Sequence, residues 1–336
     1  MEMEKILKTD QGKFKLRPYT SDDQEKVMEL WELAFNHEMD QKVWRWKYHK
    51  NPFGYQIMLC LNEKEEPVVM YGGLPYKSFY KGQAIRMVHM TDSMSHPAYR
   101  STTQGRKGLF IQTAEHFFDV FAVPPESVFY YGYPGIRAYR LGKLFLQYNE
   151  ISQGVQFVSA DIEQVKNRSG YFKKTRLVHS FDTTIFNRIW NSLNCYYPFS
   201  ISRNADFIKW RYFDHPTKKY LVFVSRNILH QPKAYGIIQI NNKIATLVDI
   251  LVKPRVDDIA CLVSEITKEL KKRGVTQIQS WLPPNHGVTQ KLIQIGFIAK
   301  KEPLGLTIVG RTFHKEIPLD HASKNMFFTM ADGDLF

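Results

Sequence analysis

Apolar and polar positions along the chain fall into two runs of elements with the same order. In the first, short alternating or apolar stretches predict strands at Gln56–Leu61, Val68–Tyr71 and Ile85–Met90. A helix is predicted over Gly108–Ala122, with Leu109, Phe110, Thr113, Phe117 and Phe121 at helical spacing. A strand at Val128–Tyr133 and a short helix ending near Gly142 follow. The second run predicts strands at Tyr220–Val224, Tyr235–Ile240 and Ile244–Val252, with Asn241-Asn242 as a hairpin turn. Its helix, Ile259–Lys272, repeats Ile259, Leu262, Val263, Ile266 and Leu270 and stops at Arg273-Gly274. A strand at Val275–Leu282 and a short helix ending near Gly296 complete it.

Two landmarks tie the runs together. Trp46-Lys47-Tyr48, with Pro52 six residues after the tryptophan, is echoed by Trp210-Arg211-Tyr212 with Pro216. Asp92 stands five residues before Pro97, as Asp249 stands five before Pro254. Two landmarks in one order, with matching elements between them, predict an internal repeat. The expected fold class is α/β (α+β): two tandem domains, each a twisted mixed sheet flanked by helices. The expected division is 1–165 and 166–336, with a connector around Lys166–Gly170. Aromatic rings retained in both repeats (Trp46, Tyr48, Trp210, Tyr212) are expected to pack under the sheets rather than to form a ligand box.

Composition narrows the class. The 336 residues are 43% hydrophobic and 24% charged, which is globular. Nowhere do 18 apolar residues run together, so no membrane span is expected. The first twelve residues mix acids and lysines without an apolar core and do not read as a secretory signal, so a cytoplasmic protein is expected. Three cysteines without CxxC spacing argue against a disulfide framework or structural zinc. His89 and His96 lack metal-ligand partners at helical spacing, and no metal is expected. A net charge of +13 implies attraction to anions, whether a phosphorylated cofactor or a polyanionic surface. The cations are scattered through regular elements instead of gathered in a tail, which makes nucleic acid the weaker candidate.

The segment Val88-His-Met-Thr-Asp-Ser-Met-Ser-His-Pro-Ala-Tyr-Arg100, followed by Gly105-Arg-Lys-Gly-Leu-Phe110, resembles the GNAT superfamily of N-acetyltransferases, in its tandem two-copy form. Tyr131-Gly-Tyr-Pro-Gly135 with Tyr139 and Leu141 resembles that fold's entry into its last helix. The resemblance implies acetyl-CoA as co-substrate. Its pantetheine arm would run along Ser93, Met94 and Ser95, and its pyrophosphate would sit on the turn of Arg100, Gly105, Arg106, Lys107, Gly108, Leu109 and Phe110. The physics agrees, since backbone N–H groups opening a helix bind phosphate and glycines allow close approach. Gly108 fits the family's first glycine, while Gly105 replaces its Gln or Arg and Phe110 its second glycine. In the second repeat the turn is Lys253-Pro-Arg-Val-Asp-Asp258, without glycine and with two acids, so that copy is expected to bind no CoA.

Direct acyl transfer to an amine needs a base, oxyanion donors and an acid for the leaving thiolate. Tyr139 is a candidate acid or a packing tyrosine. Asp92 is a candidate base, although Asp249 holds the same position in the second repeat and points to a structural role. The aromatic tail Phe327–Phe336 carries Asp332 and Asp334. In the tandem relatives a C-terminal carboxylate reaches the active site, so the resemblance makes Asp332, Asp334 or the Phe336 carboxylate a candidate; the other reading is a tail that covers apolar surface. The expected activity moves an acetyl or acyl group to an amine of a small molecule, sugar or peptide. A Fem-type transferase using aminoacyl-tRNA and a non-catalytic CoA-binding regulator are the alternatives.

Overall fold

A computed structural model of the chain describes residues 2–100, 105–124, 127–151, 154–166, 174–303, 305–315 and 317–334. In chain order the strands that build its sheets are β1 (Lys5–Thr9), β2 (Gly12–Pro18), β3 (Gln56–Leu61), β4 (Pro67–Tyr80), β5 (Gln83–Ser95), β6 (Phe129–Gly132), β7 (Asn149–Glu150) and β8 (Gln156–Asp161). They continue with β9 (Lys174–Val178), β10 (Phe199–Ile201), β11 (Leu221–Arg226), β12 (Pro232–Asn241), β13 (Ile244–Leu251), β14 (Gln277–Leu282), β15 (Ile298–Lys300) and β16 (Val309–Thr312). The helices are α1 (Gln24–Phe35), α2 (Gln41–Trp44), α3 (Leu109–Phe121), α4 (Ile136–Phe145), α5 (Thr183–Leu193), α6 (Ala205–Ile208), α7 (Val256–Lys272), α8 (Gly287–Gln294) and α9 (Leu319–Asn325). None of these is long and apolar enough to cross a membrane.

Two compact units emerge. The first holds residues 1–77, 85–150 and 309–319; the second holds 78–84, 151–308 and 320–336. The first unit's strands run in the order β1-β2-β3-β4-β5-β6-β16-β7, and the second's in the order β15-β8-β14-β13-β12-β11-β9. Reversed, the second order corresponds strand for strand to β2 through β7 of the first. In each, one parallel pair carries a helical crossover: β5 and β6 joined through α3, β13 and β14 joined through α7. The mixed-sheet α/β class read from the pattern is the architecture found.

The expected boundary at 165 falls inside the second unit. β8 pairs antiparallel with β14, from Gln156 opposite Leu282 to Asp161 opposite Gln277. The strand that completes the first sheet comes instead from far downstream, with Val309–Thr312 of β16 opposite Gly132–Phe129 of β6. Each sheet is therefore finished by the strand that follows the other unit's last edge strand in sequence. No periodicity announces this, because either strand fits either sheet edge by pattern alone.

α3 buries Leu109, Ile111, Ala114, Phe117 and Phe118 against Phe14, Leu16, Met58, Val69 and Tyr71 of the first sheet. Alternation explains β2, where Phe14 and Leu16 point to this core between Lys13, Lys15 and Arg17. α7 buries Ile259, Leu262, Val263, Ile266 and Leu270 in the second unit, the face its helical spacing predicted. Both Trp-basic-Tyr landmarks form the same structure. A four-residue helix capped by Asp40 or Asn204 runs into a π-helical turn, Arg45–His49 or Lys209–Phe213, closed by Lys50 N–H to Arg45 O at 2.8 Å and Asp214 N–H to Lys209 O at 2.9 Å. Trp46, Tyr48, Trp210 and Tyr212 are all buried, as expected of packing rings.

Candidate functional site in the first unit

The parallel strands β5 and β6 pair only at Met87–His89 opposite Phe129–Tyr131. Beyond His89, β5 continues to Ser95 and the two strands part. Asp92, at φ +53°, marks the departure. A non-glycine residue in this left-handed region costs about 1–2 kcal/mol and is retained where neighbours over-determine it. Here they do. Lys47 Nζ lies 2.7 Å from Asp92 Oδ2, the Tyr48 hydroxyl donates to the same oxygen, and Thr91 Oγ1 donates to Oδ1 at 3.0 Å. On the facing strand β4, a Cβ on Gly72 would come within 2.8 Å of the Thr91 carbonyl oxygen, so only glycine permits this close approach.

Ligands of parallel sheets bind beyond the carboxyl ends of the strands, and the residues proposed from sequence in the first unit lie along and after this splayed end of β5 or on α4. Ser93 is half-buried, and its Oγ accepts from Gly72 N–H at 3.4 Å. Met94 is buried, and the Ser95 carbonyl accepts from Arg100 Nε at 3.3 Å. Arg100 also donates to Ala34 O at 3.2 Å, so its guanidinium is engaged with backbone. Residues 101–104 lie outside the described residues. Gly105–Lys107 form a 3₁₀ turn in which Gly105, at φ +64°, takes the conformation that favours glycine. Gly108 caps α3 with no side-chain hydrogen bond, leaving the helix's first N–H groups without a capping side chain. Arg106 and Lys107 are exposed beside this turn. Leu109 is buried, and Phe110 sets its ring edge-on to Tyr71 with centroids 5.5 Å apart. The bulky residue at the second glycine position is thus absorbed by packing.

On the β6 side, Tyr131 stacks on His89 at 5.3 Å, and its strand leads into α4. Tyr139 of α4 directs its hydroxyl to Glu150 Oε2 at 3.4 Å, with Lys143 Nζ 5.7 Å above its ring. The sequence reading missed Lys47 as Asp92's partner. The available signal was a basic residue held between two buried aromatics in both repeats, since a buried cation requires an anion.

The second unit offers a comparison built from its own residues. β13 and β14 pair only at Ile244–Thr246 opposite Gln277–Gln279 and then part. The turn Met330–Asp332 lies against both strands. Asp249 accepts from Tyr235 Oη at 2.8 Å and Thr329 Oγ1 at 3.0 Å, and Arg203 Nε lies 3.6 Å away. Arg203, fully buried, also pairs with Asp332, whose carboxyl is pushed up by burial despite that cation. Arg211, the counterpart of Lys47, donates to the Ala331 and Gly333 carbonyls at 3.4 and 3.0 Å. Asp334 is exposed, and Phe336 lies outside the described residues. Tyr71-Gly72 and Tyr235-Gly236 form a third echo that the sequence reading missed, Gly236 pairing with Ile250 just after Asp249. α7 opens with Asp257 and Asp258 in its first turn. Among the described residues no group of three His, Cys, Asp or Glu is placed to hold a metal ion.

Residues 15–134, which include the β5–β6 fork and the turn into α3, match the family model described as acetyltransferase (GNAT) domain. This segment, about a third of the chain, is therefore similar to a GNAT acetyltransferase domain. The GNAT fold is also what solved structures share with the chain. A conserved protein of unknown function from Enterococcus faecalis V583, described as a probable N-acyltransferase, is 12% identical with a TM-score of 0.68, covering 92% of this chain and 74% of that one. A GCN5-related N-acetyltransferase from Anabaena variabilis is 12% identical at TM-score 0.68, covering 90% and 73%. Saccharomyces cerevisiae N-myristoyltransferase with bound myristoyl-CoA is 11% identical at TM-score 0.53, covering 92% and 83%. No curated protein sequence matches the chain. The family-model match over residues 15–134 points to acyl transfer as the general chemistry, and the solved structures show the shared fold.

Proposed function

We propose that the chain is a cytoplasmic, acyl-CoA-dependent N-acyltransferase built from two GNAT-like copies, with acetyl-CoA bound by the first unit and an amine of a small molecule, sugar or peptide as acceptor. The observation that carries this is the N-terminus of α3, where Gly105, Arg106, Lys107 and Gly108 place a glycine turn and two exposed cations before a helix with no side-chain cap. Unpaired N–H groups and the helix dipole at such an end favour a pyrophosphate. Among the described residues, a Cβ on Gly105 would meet only the Phe145 ring, at 4.0 Å. The splayed end of β5 at Ser93–Ser95 would receive the pantetheine arm, supplying backbone groups as a strand edge does.

In the reaction an amine nitrogen bonds to the thioester carbonyl carbon, the C–S bond breaks, and the ammonium proton passes to a base while the thiolate takes one from an acid. Tyr139 is our candidate acid. Asp92 is more readily an anchor than a base, because Lys47, Tyr48 and Thr91 already engage its oxygens. That engagement favours a second reading, a CoA-binding protein without turnover. In the second unit the acids of α7 and the tail against β13 and β14 argue against a second CoA site. Isothermal titration with acetyl-CoA tests the proposal. One-site micromolar binding, lost in Arg106→Glu/Lys107→Glu, is expected, and absence of binding by the unaltered protein at low salt would overturn it. A screen of amine acceptors then separates transferase from silent binder.

A further inference from the structure

The hairpin joining β11 to β12 ends in a tip that the fold does not use. Ile228 and Leu229 are 66% and 69% exposed, side by side at the turn. Turn positions normally carry polar or small residues, and two adjacent large aliphatics there contribute nothing to the core of their own unit. Their presentation is nevertheless rigid. His230 N–H donates to Asn227 O at 2.9 Å and Asn227 N–H to Gln231 O at 3.0 Å. The Asn227 side chain accepts from Gln231 N–H at 2.9 Å and donates to Gln231 Oε1 at 3.2 Å, while Arg226 Nη1 donates to His230 O at 3.2 Å. The tip is a braced apolar wedge.

Its collar is cationic. Arg226 sits at the base of the turn, Lys233 is exposed on the returning strand, and Lys174 of β9 lies directly opposite Arg226. Like charges directly across a strand pair repel. From His215 to Val248 the sequence contains no Asp or Glu, so this strand pair supplies no acid of its own to relieve them. Apolar residues projecting beyond a ring of Lys and Arg match an anionic lipid interface, where aliphatic groups enter the acyl boundary and cations meet the phosphates. A second copy of this chain is a poorer occupant, because it would set the cationic collar against itself.

We propose that the Ile228–Leu229 tip, with Arg226, Lys233 and Lys174, is a docking element for an anionic phospholipid surface. The proposal does not draw on the acyl-transfer reading. A fluorophore on Leu229→Cys, in a Cys195→Ser background because Cys195 is the exposed cysteine among the three, would report insertion. Lys243→Cys, on the turn at the far end of β12, provides the control. A blue shift at 229 but not at 243 is expected with vesicles of phosphatidylcholine plus phosphatidylglycerol, and none with phosphatidylcholine alone. In co-sedimentation, Arg226→Gln/Lys233→Gln should weaken binding about thirtyfold. Ile228→Ser/Leu229→Ser, which leaves charge unchanged, should weaken it at least tenfold. Undiminished binding of the serine variant would overturn the proposal and leave only diffuse attraction by a +13 protein. A shift at 229 that grows with protein concentration without vesicles would overturn it in favour of self-association.

Discussion

At the scale of single residues, the two buried aspartates decide most. Asp92 and Asp249 each sit where a central strand leaves its parallel neighbour, and each is held by a cation from its own unit. Removing one member of a buried pair leaves an uncompensated charge, which costs about 3–5 kcal/mol. Lys47→Met is therefore expected to lower stability by that amount in urea unfolding, with part of the loss recovered in Lys47→Met/Asp92→Asn. His286 provides a pH prediction. Its ring is stacked on Tyr197 and tilted against Phe327, Nδ1 accepts from Val288 N–H at 3.2 Å, and burial pushes its pKa down to about 4. The unfolded chain binds this proton near pH 6.5 and the folded protein only near 4. The contribution is thus complete above pH 6.5 and declines as pH falls towards 4, by no more than about 3 kcal/mol. His286→Asn, which can still cap α8, should flatten that part of the stability–pH curve. Asp332, raised by burial above the ordinary carboxylate value, gains stability as pH falls through its folded pKa and so opposes the His286 loss equally in both proteins.

At the scale of elements, the tail was legible as an anomaly before it was legible as a structure. Phe327 and Phe328 near the end of the sequence announced a docked segment, and both are fully buried. What no pattern could give was the Arg203–Asp332 pair, with partners 129 residues apart in sequence and each unremarkable alone. Stopping the chain at Asn325 would uncover Arg203 and Asp249 along with an aromatic surface. We expect a broadened thermal transition lowered by ten degrees or more on the order implied by several kcal/mol in a unit of this size, measured by calorimetry. The central strands and the helices α3 and α7 were readable because period and length agree there. The hairpin of β1 and β2 was overlooked because its lysines alternate with few apolar residues, Phe14 and Leu16 carrying the burial.

At the scale of the molecule, the candidate site was readable only in outline. The turn Gly105–Gly108 could be found from glycines and charge, whereas the engagement of Arg100 with Ser95 and Ala34 carbonyls depends on backbone positions no sequence displays. The division at residue 165 fails for a related reason, since strand membership is set by pairing across more than 150 residues. A fragment comprising residues 1–165 would lack β16 and leave the edge of β6, with Tyr130 and Tyr131, unpaired. Open apolar edges seek other chains, so this fragment is expected to be insoluble. Joining residues 305–319 to it through a flexible linker should restore a monomer by size-exclusion chromatography.

The same exchange of strands sets an order of events during synthesis. By the time β7 leaves the ribosome the first unit has nearly all of its core, yet β16 is still some 160 residues from being made. At about 5–20 residues per second that is roughly 8–30 seconds with one sheet edge open. The second unit, by contrast, receives β8 before any of its other strands. The N-terminal half must wait, exposed, for the C-terminal half to be translated, which makes the interval between them a natural point for a chaperone to act.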